Sequence, residues 1–261
     1  MSPTTVAGRI LLAVGVTGLG ILGLVNGDFV RKWQPVPAGI PMRQLAVWVS
    51  GLLLLACGAG LRLPRASRPA ALVLTLFLAG WIVVLHGPLV AAQPTSLLAW
   101  GYLCGVLTVA AGTLALWAML PSLGPPGTSD GSTRSRTLKA ARLLMAPALV
   151  LFGTSHLVYA QSVTSLVPSW LPVRTGLVYF TGCAHICAGV ALISGFLAPV
   201  AALLEAVMMS SFVLLVDLPR FAGGLVHGPP WALSFETAMV GAVWTVAASL
   251  QGGVRDPPSG G

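Results

Sequence analysis

The sequence predicts an all-α, polytopic membrane protein with eight transmembrane helices, arranged as two four-helix bundles of the same orientation. Three observations carry this expectation. Apolar residues make up 56% of the 261 and charged residues 8%, where a soluble domain holds about 25% charged residues. Between Arg68 and Asp130 there is no Asp, Glu, Lys or Arg, a run far longer than the roughly 20 residues that cross a bilayer. The chain also repeats itself at a shift of about 131 residues. Gly51 and Gly58 of VSGLLLLACGAGL fall opposite Gly182 and Gly189 of FTGCAHICAGVAL. Ala70-Ala71-Leu72 falls opposite Ala201-Ala202-Leu203, and His86-Gly87-Pro88 opposite Asp217-Leu218-Pro219.

The predicted spans are 7–27, 45–63, 69–90, 97–120, 143–160, 174–196, 199–217 and 231–250. Each is continuously apolar, which excludes a β-barrel, whose strands alternate apolar and polar residues. In lipid every backbone N–H needs a partner within the segment, so each span is expected to be helical. The first stretch lacks a small-residue cleavage site and reads as a retained span. Four spans per half is an even number, so the halves share one orientation about a pseudo-two-fold axis along the membrane normal. Two connections, LRLPRASRP and GFLAPV, are tight enough to make antiparallel hairpins. Gly and Ala along these helices permit close approach.

The organisation is then a first four-helix unit, 1–121, a Pro/Gly/Ser-rich cytoplasmic linker, 122–142, a second four-helix unit, 143–251, and a disordered tail, 252–261. Of the 14 Lys and Arg residues, Arg31, Lys32, Arg43, Arg174 and Arg220 fall on the side away from the N-terminus and the other nine on the N-terminal side. That bias puts both termini in the cytoplasm of a bacterial inner membrane. The net charge of +8 resides in short loops and points to headgroups, not nucleic acid. Trp33, Trp170 and Trp231 mark the outer boundary as an aromatic belt would. Cys57, Cys104, Cys183 and Cys187 all lie in apolar segments and read as small apolar residues.

Ionisable groups inside spans are costly and therefore candidate functional groups. The topology gathers four of them toward the outer side of the second half: His156, His185, Asp217 and Glu236. These are the expected ligand-binding residues, with His86 and Arg220 as secondary candidates. His86 and His227 read as outer-loop residues, and Asp28 sits at the outer end of the first span. Glu205 is placed apart, near the cytoplasmic end of the seventh span. Leu54 stands in the first half where His185 stands in the second, so the second half carries the polar cavity and the first serves as scaffold. His156 and His185 are the only histidines placed like axial ligands of a haem. No HxxH or ExxH spacing suggests a metal site, and no Walker loop or GxGxxG is present. Both lysines are in loops, which excludes a retinal Schiff base.

The stretches GTSHLVYAQSVTSLVPSWLP and YFTGCAHICAGVALISGFLAPVAALLEAVMMSSFVLLVDLPR resemble the DoxX-like family of small four-helix membrane proteins. In that family an apolar second helix carries a Glu ahead of a glycine pair, and the third opens with Ala-Ala-Leu and ends with a His. Here His185 stands at the Glu position and Asp217 at the His position, while His86 keeps that His in the first half. The likeness covers 145–250, and 10–118 more loosely. It implies a membrane partner in thiol or sulfur redox chemistry, some relatives being a quinone-reducing thiosulfate dehydrogenase subunit. The expected role is therefore to bind a small molecule or quinone-type partner in an outward-facing polar cavity, as the membrane component of a redox system beside a partner protein. The alternatives are a small-solute transporter or exporter that rocks its halves, and a structural subunit without its own activity.

Overall fold

The computed structural model describes residues 1–30, 32–121, 131–223 and 230–251. Arg31, His227, the first part of the expected linker (122–130) and the expected tail (252–261) lie outside the described residues. Within them the chain is all-helical, with eight helices long and apolar enough to cross a membrane. These are α1 (Pro3–Asn26), α2 (Arg43–Arg62), α3 (Ser67–Ala92), α4 (Leu97–Met119), α5 (Gly131–Val158), α6 (Arg174–Ser194), α7 (Ala198–Ala222) and α8 (Pro230–Gln251). A short helix, Ala160–Leu166, lies between α5 and α6.

The repeat is visible in backbone detail. Met42 and Val173, 131 residues apart, both take left-handed backbone angles (φ 53° and 50°) immediately before Arg43 and Arg174 open α2 and α6. Ile82–His86 and Val213–Asp217, at the same offset, each form one π turn inside α3 and α7. The cause is Pro88 and Pro219 just beyond. A proline ring collides with the carbonyl four residues earlier and removes a hydrogen bond, and a wider turn lets the helix continue past it. That is why α7 runs to Ala222 and not to 217.

The helix α5 begins at Gly131, twelve residues before the expected 143. The segment STRSRTLKAAR carries Arg, Lys, Leu and Ala, all good helix formers. Its Ser and Thr residues suggested a linker, yet a helix projecting from the membrane into water suits its four cations equally well.

The two units interlock. Each first helix packs chiefly on its own second helix and on the other unit's fourth: α1 on α2 and α8, α5 on α6 and α4. With α2–α3–α4 and α6–α7–α8 in sequence, the eight helices close a ring, and α4 and α8 meet across its middle. Glycine makes these crossings possible. A Cβ on Gly15 would collide with the α8 backbone at Ala238, and one on Gly112 with Ala242. The third and fourth helices of each half are tied by side chains, Thr113 and Trp244 standing at the same offset. Thr75 donates to Thr113 at 2.8 Å, and the Trp244 indole donates to Ser210 at 2.9 Å.

The first half is plugged by its own loop at the end away from the N-terminus. Trp33 is 1% exposed and wedges between Trp81 and Phe235, with ring centroids 5.5 and 5.1 Å away. It is a core residue and not part of an interfacial belt; Trp170, by contrast, is exposed. Beside it Gln34 donates to Ser50 at 2.6 Å. All four cysteines are free. Cys57 and Cys104 are buried, and Cys183 and Cys187 face outward from α6.

Candidate functional site

The helices α5 and α6 approach closely because glycines line their seam. A Cβ on Gly153 would collide with the Gly182 carbonyl, and one on Gly189 would come within 2.8 Å of the Ala146 carbonyl. This contact lays His156, in the last turn of α5, over the face of α6 that carries Thr181 and His185. The Thr181 hydroxyl donates its proton to the Val178 carbonyl at 3.1 Å. Its contact with His156 Nδ1, at 3.2 Å, is therefore an imidazole N–H donating to the hydroxyl oxygen. A neutral His156 held this way keeps a free lone pair on Nε2.

His185 is 2% exposed and sits edge-on to His156, with ring centroids 5.1 Å apart. Its Nδ1 lies 2.6 Å from Oε1 of Glu205, also 2% exposed. The second carboxylate oxygen, Oε2, is buried without a partner. Phe212 of α7 lies against both imidazoles at 6.0 and 5.8 Å, and Phe152 of α5 is 6.2 Å from His185. The result is a polar row, His156–His185–Glu205, walled by aromatic rings.

Glu205 does not stand apart; it is the direct partner of His185. The reason lies in the hairpin. Because Gly195–Leu197 turns the chain tightly between α6 and α7, residues equally far from the turn face each other, and 185 and 205 lie ten residues either side of 195. The tight GFLAPV connection held that signal.

Asp217 and Glu236 form a second group nearer the end of the bundle away from the N-terminus. Asp217 follows Phe212 by the π turn, so it stands about one turn beyond the imidazoles along α7. Glu236, half-buried in the second turn of α8, is within electrostatic reach of both Asp217 and Lys32, and Asp217 of Arg220. Lys32 reaches over from the loop between α1 and α2. Its ammonium sits 4.5 Å from the Trp231 ring centre and 5.9 Å from that of Tyr102. Burial lowers the Lys32 pKa, and the Glu236 carboxylate acts in the opposite sense. The four expected residues thus divide into two pairs stacked along α7.

His86 is not in a loop. It is fully buried at the end of the π turn of α3, and its Nε2 donates to the Trp33 carbonyl at 3.2 Å. That bond fixes the protonated nitrogen, and Nδ1 is buried without a partner.

The first half shows the same positions without the row. At the 131-residue offset Leu54 replaces His185 and Leu74 replaces Glu205, both buried. Ser50 replaces Thr181, and Trp81 replaces Phe212. Among the described residues no group of three or more His, Cys, Asp or Glu is arranged to hold a metal ion. The edge-on contact of His156 and His185 leaves no gap for a porphyrin between them.

The DoxX family model matches residues 137–218, a stretch that takes in most of α5, all of α6, and α7 as far as Leu218. His156, His185, Glu205 and Asp217 all fall inside it. Residues 137–218 of the second half are thus similar to the DoxX family, in a chain with eight helices long and apolar enough to cross a membrane. No curated protein and no solved structure matches the chain.

Proposed function

We propose that the second half binds a small molecule or quinone-type partner at its outer end and serves as the membrane component of a redox system. One observation carries this reading. A buried His185–Glu205 pair, with His156 against it, sits where the other half of the same fold needs only two leucines. Burying an ion pair gains little stability over packed apolar side chains, so the polar row is better explained by what it holds. His156 and His185 supply hydrogen-bonding nitrogens and Phe152 and Phe212 a flat apolar wall. Asp217 and Glu236, balanced by Arg220 and Lys32, set the charge at the mouth. The Lys/Arg bias supports a bacterial inner membrane with both termini in the cytoplasm.

The test is binding of a short-tailed benzoquinone to the full chain in lipid nanodiscs, followed by tryptophan quenching. Saturable binding is expected, with loss in the double variant H185L/E205L, which copies the first half. Equal binding by that variant, or none by the wild type, overturns the reading. Transport by rocking of the halves has less support. A cleft of about 230 Å³ opens on the N-terminal side, lined by Thr5, Met119, Arg134 and Gln251 among others, but α4 and α8 are in backbone contact at Gly112 and Ala242 across the ring.

A further inference from the structure

We infer that Glu205, His185 and His156 form a proton-binding site within the membrane, loaded from the outer side, with Glu205 as its inner end. The inference deepens the reading above, because it states what the polar row itself takes up, but its geometry requires no ligand.

Three observations carry it. The first is the gradient of burial along the row: His156 is half-buried, whereas His185 and Glu205 are each 2% exposed. Among the described residues of the row, His156 is the one with exposed surface, and the proton enters there, at the Nε2 that its bond to Thr181 leaves free. The second is the lone carboxylate oxygen. Oε1 of Glu205 shares a hydrogen with His185 and Oε2 has no partner. An ionised Glu205 beside a neutral imidazole is then an uncompensated charge in a medium where that is costly.

The charges on the surrounding helices lie elsewhere. Arg142 of α5 reaches the α6–α7 turn at Gly195. Asp217 is three turns from Glu205 along α7 and about one turn beyond the imidazoles, and Glu236 of α8 lies with Asp217 and Lys32. One proton taken up by the His185–Glu205 pair removes the charge, and no other bond has to form or break. The third observation is the internal control: Leu54 and Leu74 show that the helices pack at these positions without any polar group.

Infrared difference spectra of the full chain in nanodiscs, taken between roughly pH 5 and 8, test this directly. The acid-minus-alkaline spectrum is expected to hold a protonated-carboxyl or imidazolium band that is lost in Glu205→Gln, a variant that keeps the hydrogen bond and the volume. After a pH jump the same band should rise on the order of a hundredfold more slowly in His156→Leu. A spectrum unchanged by Glu205→Gln, at retained fold, overturns the proton site, because the pair is then a fixed structural contact. An undiminished rate in His156→Leu overturns loading through that residue. Neither result depends on quinone binding, so the proton site and the ligand reading can fail separately.

Discussion

Glu205 occupies in the second half the position that Leu74 occupies in the first, and His185 the position of Leu54. The two pairs are buried alike and sit on equivalent helices, so the molecule contains both a polar and an apolar solution to one packing problem. This fixes the expected mutational pattern. His185→Leu or Glu205→Leu alone leaves a buried ionisable partner without its bond and is expected to destabilise by about 3–5 kcal/mol. The double variant removes both partners and restores the first half's arrangement, so its cost should fall to about zero or turn into a gain. Melting temperatures of the four proteins in one detergent decide this; additive losses would show that the pair does not act as a unit.

What the sequence made legible followed from solvent. Hydropathy located all eight spans because lipid admits few charges. Information that depends on pairing across space was harder to read. The position of Glu205 along its own helix says nothing of its partner, which the tight turn at Gly195–Leu197 sets. Trp33 looked like a belt residue by position, but its indole fills the core and His86 takes its carbonyl. The start of α5 was hidden because a Ser/Thr-rich helix outside lipid has the composition of a loop.

Glycine positions separate close approach from idle space. A Cβ on Gly112 meets the Ala242 backbone, while nothing lies within 4 Å of one on Gly80. Gly112→Val should therefore force α4 from α8 and cost at least about 1–3 kcal/mol by overpacking. Gly80→Ala should be neutral or stabilise by up to about 1 kcal/mol through helix propensity. Thermal unfolding monitored by circular dichroism ranks the two; the opposite order would mean that α4 and α8 do not touch.

The plug of the first half is held by the rings around Trp33, by the Gln34–Ser50 bond and by one hydrogen bond from His86 to the Trp33 carbonyl. His86→Leu leaves that carbonyl without its buried donor, at a cost of about 1–3 kcal/mol. The loop holding Trp33 should loosen, with a red shift and greater acrylamide quenching of tryptophan emission. An unchanged spectrum would show that the ring contacts with Trp81 and Phe235 suffice to hold the plug.

Lys32 links the halves at the end away from the N-terminus and gives a pH dependence whose sign is fixed. Burial lowers its pKa, with the Glu236 charge opposing, whereas in the unfolded chain the amine titrates near its ordinary value of about 10.4. Between the lowered value and the ordinary one, the unfolded chain binds more protons than the folded one. Stability therefore rises with pH through that window and is flat below it, where the ammonium is charged in both states. The contact with Trp231 offsets part of the desolvation cost, by about 0.5–1 kcal/mol. Melting temperature measured across the alkaline range should rise for the wild type, against any background trend shared with Lys32→Met, and the variant should lack that rise. Parallel curves for the two proteins would show that the amine is as well solvated in the fold as in the unfolded chain, and that Lys32 does not lie over Trp231.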